Sequence, residues 1–154
     1  MLTKLETRIP PLVVLLACMG LAWLLGHALP GRPVEPPFQG AIIVLLIAAG
    51  LYLNLAPKRE FDRANTTVNP LTPEDASTLV TTGLYRWTRN PMYLGQAVLL
   101  TAWVVFVDRP GAWLAVPAFV VYITRMQILP EEYILHRRFP GVYLSFCERT
   151  RRWI

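Results

Sequence analysis

Four runs of apolar residues divide the chain, and each has about the length of a membrane-crossing helix. The runs cover residues 12–29, 40–56, 92–107 and 112–129. A helix needs about 20 mainly apolar residues to cross a bilayer. The third run is the shortest, and at about 1.5 Å per residue it reaches only about 24 Å. The pattern predicts an all-α, polytopic membrane helix bundle with about four transmembrane helices in one domain.

Proline and charged residues mark the ends of these runs. Pro57, followed by Lys58 and Arg59, is expected to close the second helix. Residues 108–111, Asp-Arg-Pro-Gly, predict a tight turn that makes the third and fourth runs a hairpin. Pro117 is expected to kink the fourth helix. A cleaved signal is disfavoured as an alternative for the first run, because its apolar residues continue well past Cys18.

The basic residues predict an orientation. Of the 15 Lys and Arg residues, only Arg32 and Arg109 lie in the first loop and in the hairpin turn. Loops rich in Lys and Arg stay on the cytoplasmic side. Both termini, the loop at 57–91 and the tail at 130–154 are therefore predicted to be cytoplasmic. The expected location is a bacterial-type inner (plasma) membrane. In the long loop, residues 72–75, Thr-Pro-Glu-Asp, predict a short helix.

Composition supports the membrane class and removes others. The chain is 54% hydrophobic and 16% charged, against about 25% charged in soluble domains. That hydrophobicity excludes disorder, and two cysteines make no disulfide framework. The net charge of +5 is accounted for by basic residues that flank membrane helices, so no nucleic acid partner is expected. Two distant histidines give little support to a metal site, and none is predicted.

The first candidate motif lies at residues 83–95, where the third helix should begin. Asn90 is a good N-cap residue and Pro91 a good first helical residue. A helix start offers free N–H groups and suits an anion such as a carboxylate. Tyr93 adds a hydroxyl group, and Gly95 lets a ligand or another helix come close. These residues leave two interpretations open: a ligand site, or a capped interfacial helix with a packing point.

The second candidate motif follows the fourth run directly. Glu131 and Glu132 lie at the membrane boundary, where acids are costly unless they are solvated or paired. A solvated helix start is the simpler interpretation. The short hairpin nevertheless places both motifs on one side of the membrane, within reach of each other. Glu132 and Arg138 are six positions apart, and a bend before Pro140 would allow both to face one pocket.

The two motifs together resemble the integral membrane methyltransferases. They are Arg-Asn-Pro-Met-Tyr-Leu-Gly at 89–95 and Glu-Glu-x-x-Leu-x-x-x-Phe at 131–139, followed by Tyr143, Phe146, Cys147 and Arg149. This superfamily includes the isoprenylcysteine carboxyl methyltransferases and the phospholipid N-methyltransferases. The resemblance covers roughly residue 67 to the C-terminus. Many members have His where Asn90 stands, which leaves the substrate branch open.

The resemblance implies a pocket for S-adenosylmethionine, with S-adenosylhomocysteine as the product, closed by the C-terminal helical segment. Glu132 and Arg138 resemble a catalytic Glu–Arg pair near the transferred methyl group. Arg89 would pair with the cofactor carboxylate, and the glutamates would bind its ribose or ammonium group. The implied cofactor-binding residues are Arg89, Asn90, Tyr93, Leu94, Gly95, Glu131 and Glu132.

The expected function is methyl transfer to a lipophilic acceptor at the cytoplasmic face of the lipid bilayer. A phospholipid amine, a prenylcysteine carboxylate and a small thiol all remain candidates for the acceptor. Two alternatives stay open. The first is a nicotinamide-dependent membrane reductase of the sterol reductase type, whose C-terminal half resembles this family. The second is a non-catalytic membrane module on the same scaffold.

Overall fold

A computed structural model describes residues 9–63 and 79–154, and in these ranges every regular element is helical. This confirms the all-α prediction. Short 3-10 turns lie at Gly83–Arg86 and Pro110–Leu114, and a π-helical turn lies at Thr124–Ile128. The six α-helices are α1 (Pro11–Ala28), α2 (Gln39–Arg63), α3 (Pro91–Val107), α4 (Ala115–Ile123), α5 (Leu129–Arg138) and α6 (Pro140–Arg149).

Three stretches within these ranges are long and apolar enough to cross a membrane. They are Pro11–Ala28, Gln39–Glu60 and Pro110–Arg138, and α3 is a shorter apolar helix. Helix α2 keeps large apolar side chains such as Val44 and Leu45 exposed, 65% and 69%. Such a surface suits contact with lipid rather than with water. The described residues therefore contain three to four membrane helices, as the apolar runs predict.

Helix α3 packs against both α1 and α2. Its contact with α2 is close because glycines face each other: a Cβ atom on Gly95 would lie 2.8 Å from the Gly50 carbonyl oxygen. Small residues allow this approach between membrane helices. On the other side of α3, Leu100 joins a buried cluster with Leu15 of α1 and Phe119 of α4. The α3 helix is thus held on two sides.

The prediction that Pro57 closes the second helix is wrong. Helix α2 continues through Pro57 to Arg63. A proline inside a helix removes one backbone hydrogen bond, and membrane helices tolerate that loss where neighbouring groups compensate. Pro57 is fully buried, whereas Lys58 and Arg59 are exposed. The charged residues end the apolar part of α2 without ending the helix.

The fourth run departs from α-helical geometry in two places, the 3-10 turn Pro110–Leu114 before Pro117 and the π turn Thr124–Ile128 before Pro130. The kink expected at Pro117 stays a prediction. Pro117 falls in the first turn of α4, where a missing N–H breaks no internal bond. Pro130 cannot donate to the carbonyl four residues earlier. The preceding turn is wider, and the N–H of Leu129 donates to the carbonyl of Thr124, five residues back. Helix α5 follows this turn without a break.

Hydrogen bonds fix one end of the bundle around the α3–α4 turn. Asp108 adopts a left-handed backbone conformation with φ of 53°. Its carboxylate accepts hydrogen bonds from the N–H groups of Val34 and Glu35, both at 3.1 Å. Arg109 donates to the carbonyl of Gly31 at 3.0 Å. The first loop and the hairpin turn therefore share this end, as their predicted common side requires.

The opposite end gathers the remaining connections. Gln127 of the π turn donates to the carbonyl of Ile9 at 2.7 Å. Thr82, just before the first 3-10 turn, donates to the Glu60 carboxylate near the end of α2 at 2.9 Å. Both candidate motifs lie at this end. The short helix predicted at residues 72–75 falls outside the described residues.

Candidate functional site

The two motifs meet at the start of α3. The hydroxyl of Tyr93 donates to Oε1 of Glu131 at 2.5 Å. The guanidinium of Arg89 pairs with Oε1 of Glu132 through Nη2, at 3.0 Å. The α3–α4 hairpin therefore brings the helix start and the paired glutamates together, which is the spatial relation that the sequence predicts.

The start of α3 keeps its backbone donors uncapped. Pro91 is the first helical residue, as predicted, and Asn90 occupies the N-cap position. No side chain caps the helix, since the Asn90 amide instead donates to the carbonyl of Arg152 at 3.0 Å. The first N–H groups of a helix have no internal partner. This end of α3 thus retains the capacity to hold an anionic group.

Glu132 is held by two arginines. Arg152 donates to both of its oxygens, through Nε at 3.0 Å and Nη2 at 2.7 Å. Arg89 donates a third hydrogen bond, to Oε1. The Arg89 and Glu132 side chains are only 12% and 17% exposed. Hydrogen bonding to Glu132 raises the pKa of Arg152 above its ordinary value. Charge-assisted, two-point pairs of this kind fix both partners in position.

Arg152 was not predicted as a site residue. In the sequence it contributes only to the count of basic residues in the tail. Its contact with Glu132 depends on a second reversal of the chain, in which the capping residue Phe139 separates α5 from α6. No spacing rule for one helix connects residues 132 and 152, so no local pattern indicates this pair.

Two buried tyrosines border the carboxylates. Burial, and then the neighbouring Glu131 carboxylate, raise the pKa of Tyr85 above its ordinary value. Burial also raises the pKa of Tyr143, and the carboxylate of Glu132 adds to the effect. Both phenols therefore stay protonated at neutral pH and retain a hydrogen-bond donor. They pack in one apolar cluster, which gives the site a wall of low polarity.

Three other predicted residues are less directly joined to this centre. Gly95 lies against α2, and its missing side chain makes room for Leu53 and the Gly50 carbonyl. Leu94 is half-buried in the first turn of α3. Arg138 is exposed in the last turn of α5, with its guanidinium 6.0 Å from the centre of the Phe139 ring. Their roles remain predictions.

One buried donor at the site has no partner within the described part of the chain. The Nε atom of Arg89 is buried and makes no hydrogen bond there, although Nη2 of the same side chain binds Glu132. Leaving a buried donor unpaired costs about 1–3 kcal/mol. An oxygen of a bound ligand could accept a hydrogen bond from this donor, and a ligand carboxylate is suited to that role.

Comparisons with known proteins identify the family. Residues 38–140 match the phospholipid methyltransferase family. The chain is also similar to an uncharacterized protein of Haemophilus influenzae, 35% identical over 63 residues, which is 41% of this chain and 100% of that protein. No solved structure matches at a significant level. Because the family match spans well over half of the sequence and includes both motifs, the chain belongs to the phospholipid methyltransferase family.

Proposed function

We propose that the protein transfers a methyl group from S-adenosylmethionine to a lipophilic acceptor at the membrane interface. The observation that carries this proposal is the junction of both motifs at the start of α3, where Tyr93 binds Glu131 and Arg89 binds Glu132. Family membership supports methyl transfer in a membrane setting. The predicted orientation would put the junction on the cytoplasmic side, where a polar cofactor arrives from solution.

The groups around the junction fit the chemistry of this cofactor. Its carboxylate would bind at the uncapped start of α3 and accept a hydrogen bond from the Nε of Arg89, which has no partner in the part of the chain that the structure describes. Its ammonium group or ribose hydroxyls would find the Glu131 carboxylate. When bound, the cofactor supplies an electrophilic methyl carbon on a positively charged sulfur.

The task of the protein is then to align two reactants and exclude water. Alignment alone supplies a large part of the rate enhancement in reactions of this type. The buried Tyr85 and Tyr143 rings keep water from one side of the junction. The lipophilic acceptor would approach from the bilayer, between helices.

The two glutamates divide the remaining roles. Glu132 accepts three hydrogen bonds from guanidinium groups, which supports an anchoring role. Glu131 accepts a hydrogen bond from the neutral Tyr93 hydroxyl, so we assign it the role of proton acceptor. An amine acceptor must lose a proton before or during methylation, and a carboxylate within reach accelerates that step. The family match points to phospholipids, and the carboxylate suits an amine. Together they favour a phospholipid amine among the candidate acceptors.

Calorimetry with the purified full chain in detergent tests the cofactor site. We expect S-adenosylmethionine to bind, and Tyr93→Phe and Glu131→Gln each to weaken binding about tenfold or more, because a hydrogen bond to a charged group contributes about 1.5–3 kcal/mol. Tyr52→Phe is the matched control, since Tyr52 is exposed on α2 and belongs to neither motif. Unchanged affinity in both site variants would refute the site assignment. Binding of a nicotinamide cofactor in place of S-adenosylmethionine would favour the reductase alternative.

Transfer of a radiolabelled methyl group distinguishes the acceptors. Total lipid, prenylated cysteine peptides and small hydrophobic thiols are supplied separately to the protein in bilayer nanodiscs. We expect the label in the lipid fraction. Label in the peptide or thiol fraction would assign another acceptor to the same site, and binding without transfer into any fraction would favour the non-catalytic alternative.

A further inference from the structure

Arg152 contacts both motifs, one through its side chain and the other through its backbone carbonyl. Its side chain holds both oxygens of Glu132, in the second motif, at 3.0 and 2.7 Å. Its backbone carbonyl accepts hydrogen bonds from the first motif, namely from the Asn90 amide at 3.0 Å and the Thr88 hydroxyl at 3.3 Å. Thr88 is buried, and its hydroxyl also accepts the N–H of Asn90 at 3.1 Å.

The residue after Arg152 anchors this connection at a third place. The indole N–H of Trp153 donates to the hydroxyl of Thr124 at 3.2 Å. Thr124 begins the π turn that precedes the glutamates, and its own hydroxyl donates to the carbonyl of Val120. Arg152 is thereby fixed relative to α3 on one side and to the fourth run on the other.

The charges indicate what Arg152 contributes. Arg89 is bound to Glu132 through Nη2, and its Nε atom is buried with no partner among residues 9–63 and 79–154. The position of Arg89 therefore depends on where Glu132 stands. Glu132 in turn is held mainly by the two-point contact with Arg152. Loss of that contact would leave Glu132 and Arg89 to each other, and would loosen the tail whose Arg152 carbonyl accepts from Asn90 and Thr88.

We infer that Arg152 is a positioning residue that sets Glu132, and through it Arg89, for the bound cofactor without contacting the reacting atoms itself. The inference rests on the proposed function. A residue of this kind governs the affinity for S-adenosylmethionine more than the rate of the chemical step. Lys in its place keeps the charge but not the two-point geometry.

The experiment compares Arg152→Gln and Arg152→Lys with Arg151→Gln in the full-length protein. The Arg151 side chain is exposed and adjacent, which makes it a matched control. We expect Arg152→Gln to raise the KM for S-adenosylmethionine about tenfold or more with kcat changed less than about threefold. Arg152→Lys should recover part of the loss, and Arg151→Gln should match the wild type. Equal effects of the two Gln variants, or none from Arg152→Gln, would overturn the inference.

A double-mutant cycle tests whether Arg152 acts through Glu132. If it does, Glu132→Gln combined with Arg152→Gln raises the KM by clearly less than the product of the single effects. Independent, multiplying effects would show that Arg152 acts elsewhere.

Amide hydrogen exchange gives a readout that needs neither cofactor nor activity. Arg152→Gln should speed exchange in the segment 88–95, whereas Arg151→Gln should not. Unchanged exchange in that segment would overturn the positioning role. If the wild-type protein does not bind S-adenosylmethionine, the proposed function is refuted, and the exchange comparison still decides whether Arg152 holds the segment 88–95 in place.

Discussion

Gly95 can be explained by packing or by ligand binding. Adding one methyl group, as in Gly95→Ala, distinguishes these two explanations. A Cβ atom there would lie 2.8 Å from the Gly50 carbonyl oxygen and 2.9 Å from Cβ of Leu53. Because backbone atoms cannot move aside cheaply, Gly95→Ala is expected to lower the free energy of unfolding by about 1–3 kcal/mol. Thermal unfolding in detergent measures the change.

Gly20 provides the control for this substitution. It lies within α1, and a Cβ atom there would meet nothing within 4 Å. Gly20→Ala should leave stability unchanged or raise it by up to about 1 kcal/mol, since Ala restricts the unfolded chain. If Gly95→Ala instead keeps full stability and loses binding of S-adenosylmethionine, Gly95 belongs to the cofactor site and its packing role is secondary.

At the residue scale, the sequence indicates those site residues whose chemistry is local. Asn90 and Pro91 mark the start of α3 by type and order, and Glu131 and Glu132 are conspicuous at a membrane boundary. The partners of these residues are not local. Arg152 reaches Glu132 only after α6 has folded back, and no periodicity within one element relates the two positions.

At the element scale, the π turn sets the rotation of α5 and therefore the direction of both glutamates. Pro130 lacks the N–H that would bond the carbonyl four residues back, and the wider turn at Thr124–Ile128 accommodates this. Such turns are frequent at functional sites. Pro130→Ala would allow a regular α-helix, which rotates Glu131 away from Tyr93. We expect unchanged or higher thermal stability together with at least about tenfold weaker binding of S-adenosylmethionine.

Pro117→Ala is the comparison for that variant. Pro117 lies in the first turn of α4, where proline fits, and it is exposed. Its replacement should change neither stability by more than about 1 kcal/mol nor cofactor affinity. If Pro130→Ala binds the cofactor as the wild type does, the π turn has no part in orienting the site.

Hydrophobic runs predict the helices well, because burial in lipid demands long apolar segments. They predict the helix ends less well. Helix α2 passes Pro57 and reaches Arg63, since lipid contact ends where charges begin but backbone hydrogen bonding does not. The π turn at 124–128 is not predictable from the sequence either. Its cause, Pro130, resembles the ordinary start of a new helix.

At the scale of the whole molecule, the structure separates two ends, and charge predicts which one faces the cytoplasm. The end around Asp108 carries Arg32 and Arg109 as its basic residues. The opposite end carries the site and the basic tail, which includes Arg137, Arg149 and Arg152. Translocating many Lys and Arg residues is unfavourable during membrane insertion. The site end should therefore be cytoplasmic.

Cysteine labelling in intact bacterial cells tests this orientation. In a Cys18→Ala, Cys147→Ser background, a membrane-impermeant maleimide should label Val34→Cys and not Ser145→Cys. Val34 is 65% exposed near Asp108, and Ser145 is exposed on α6 at the site end. Permeabilised cells, in which both positions should react, control for accessibility. Labelling of position 145 in intact cells would place the site outside the cytoplasm, away from the compartment in which S-adenosylmethionine is made, and the proposed methyl transfer would then lack its donor.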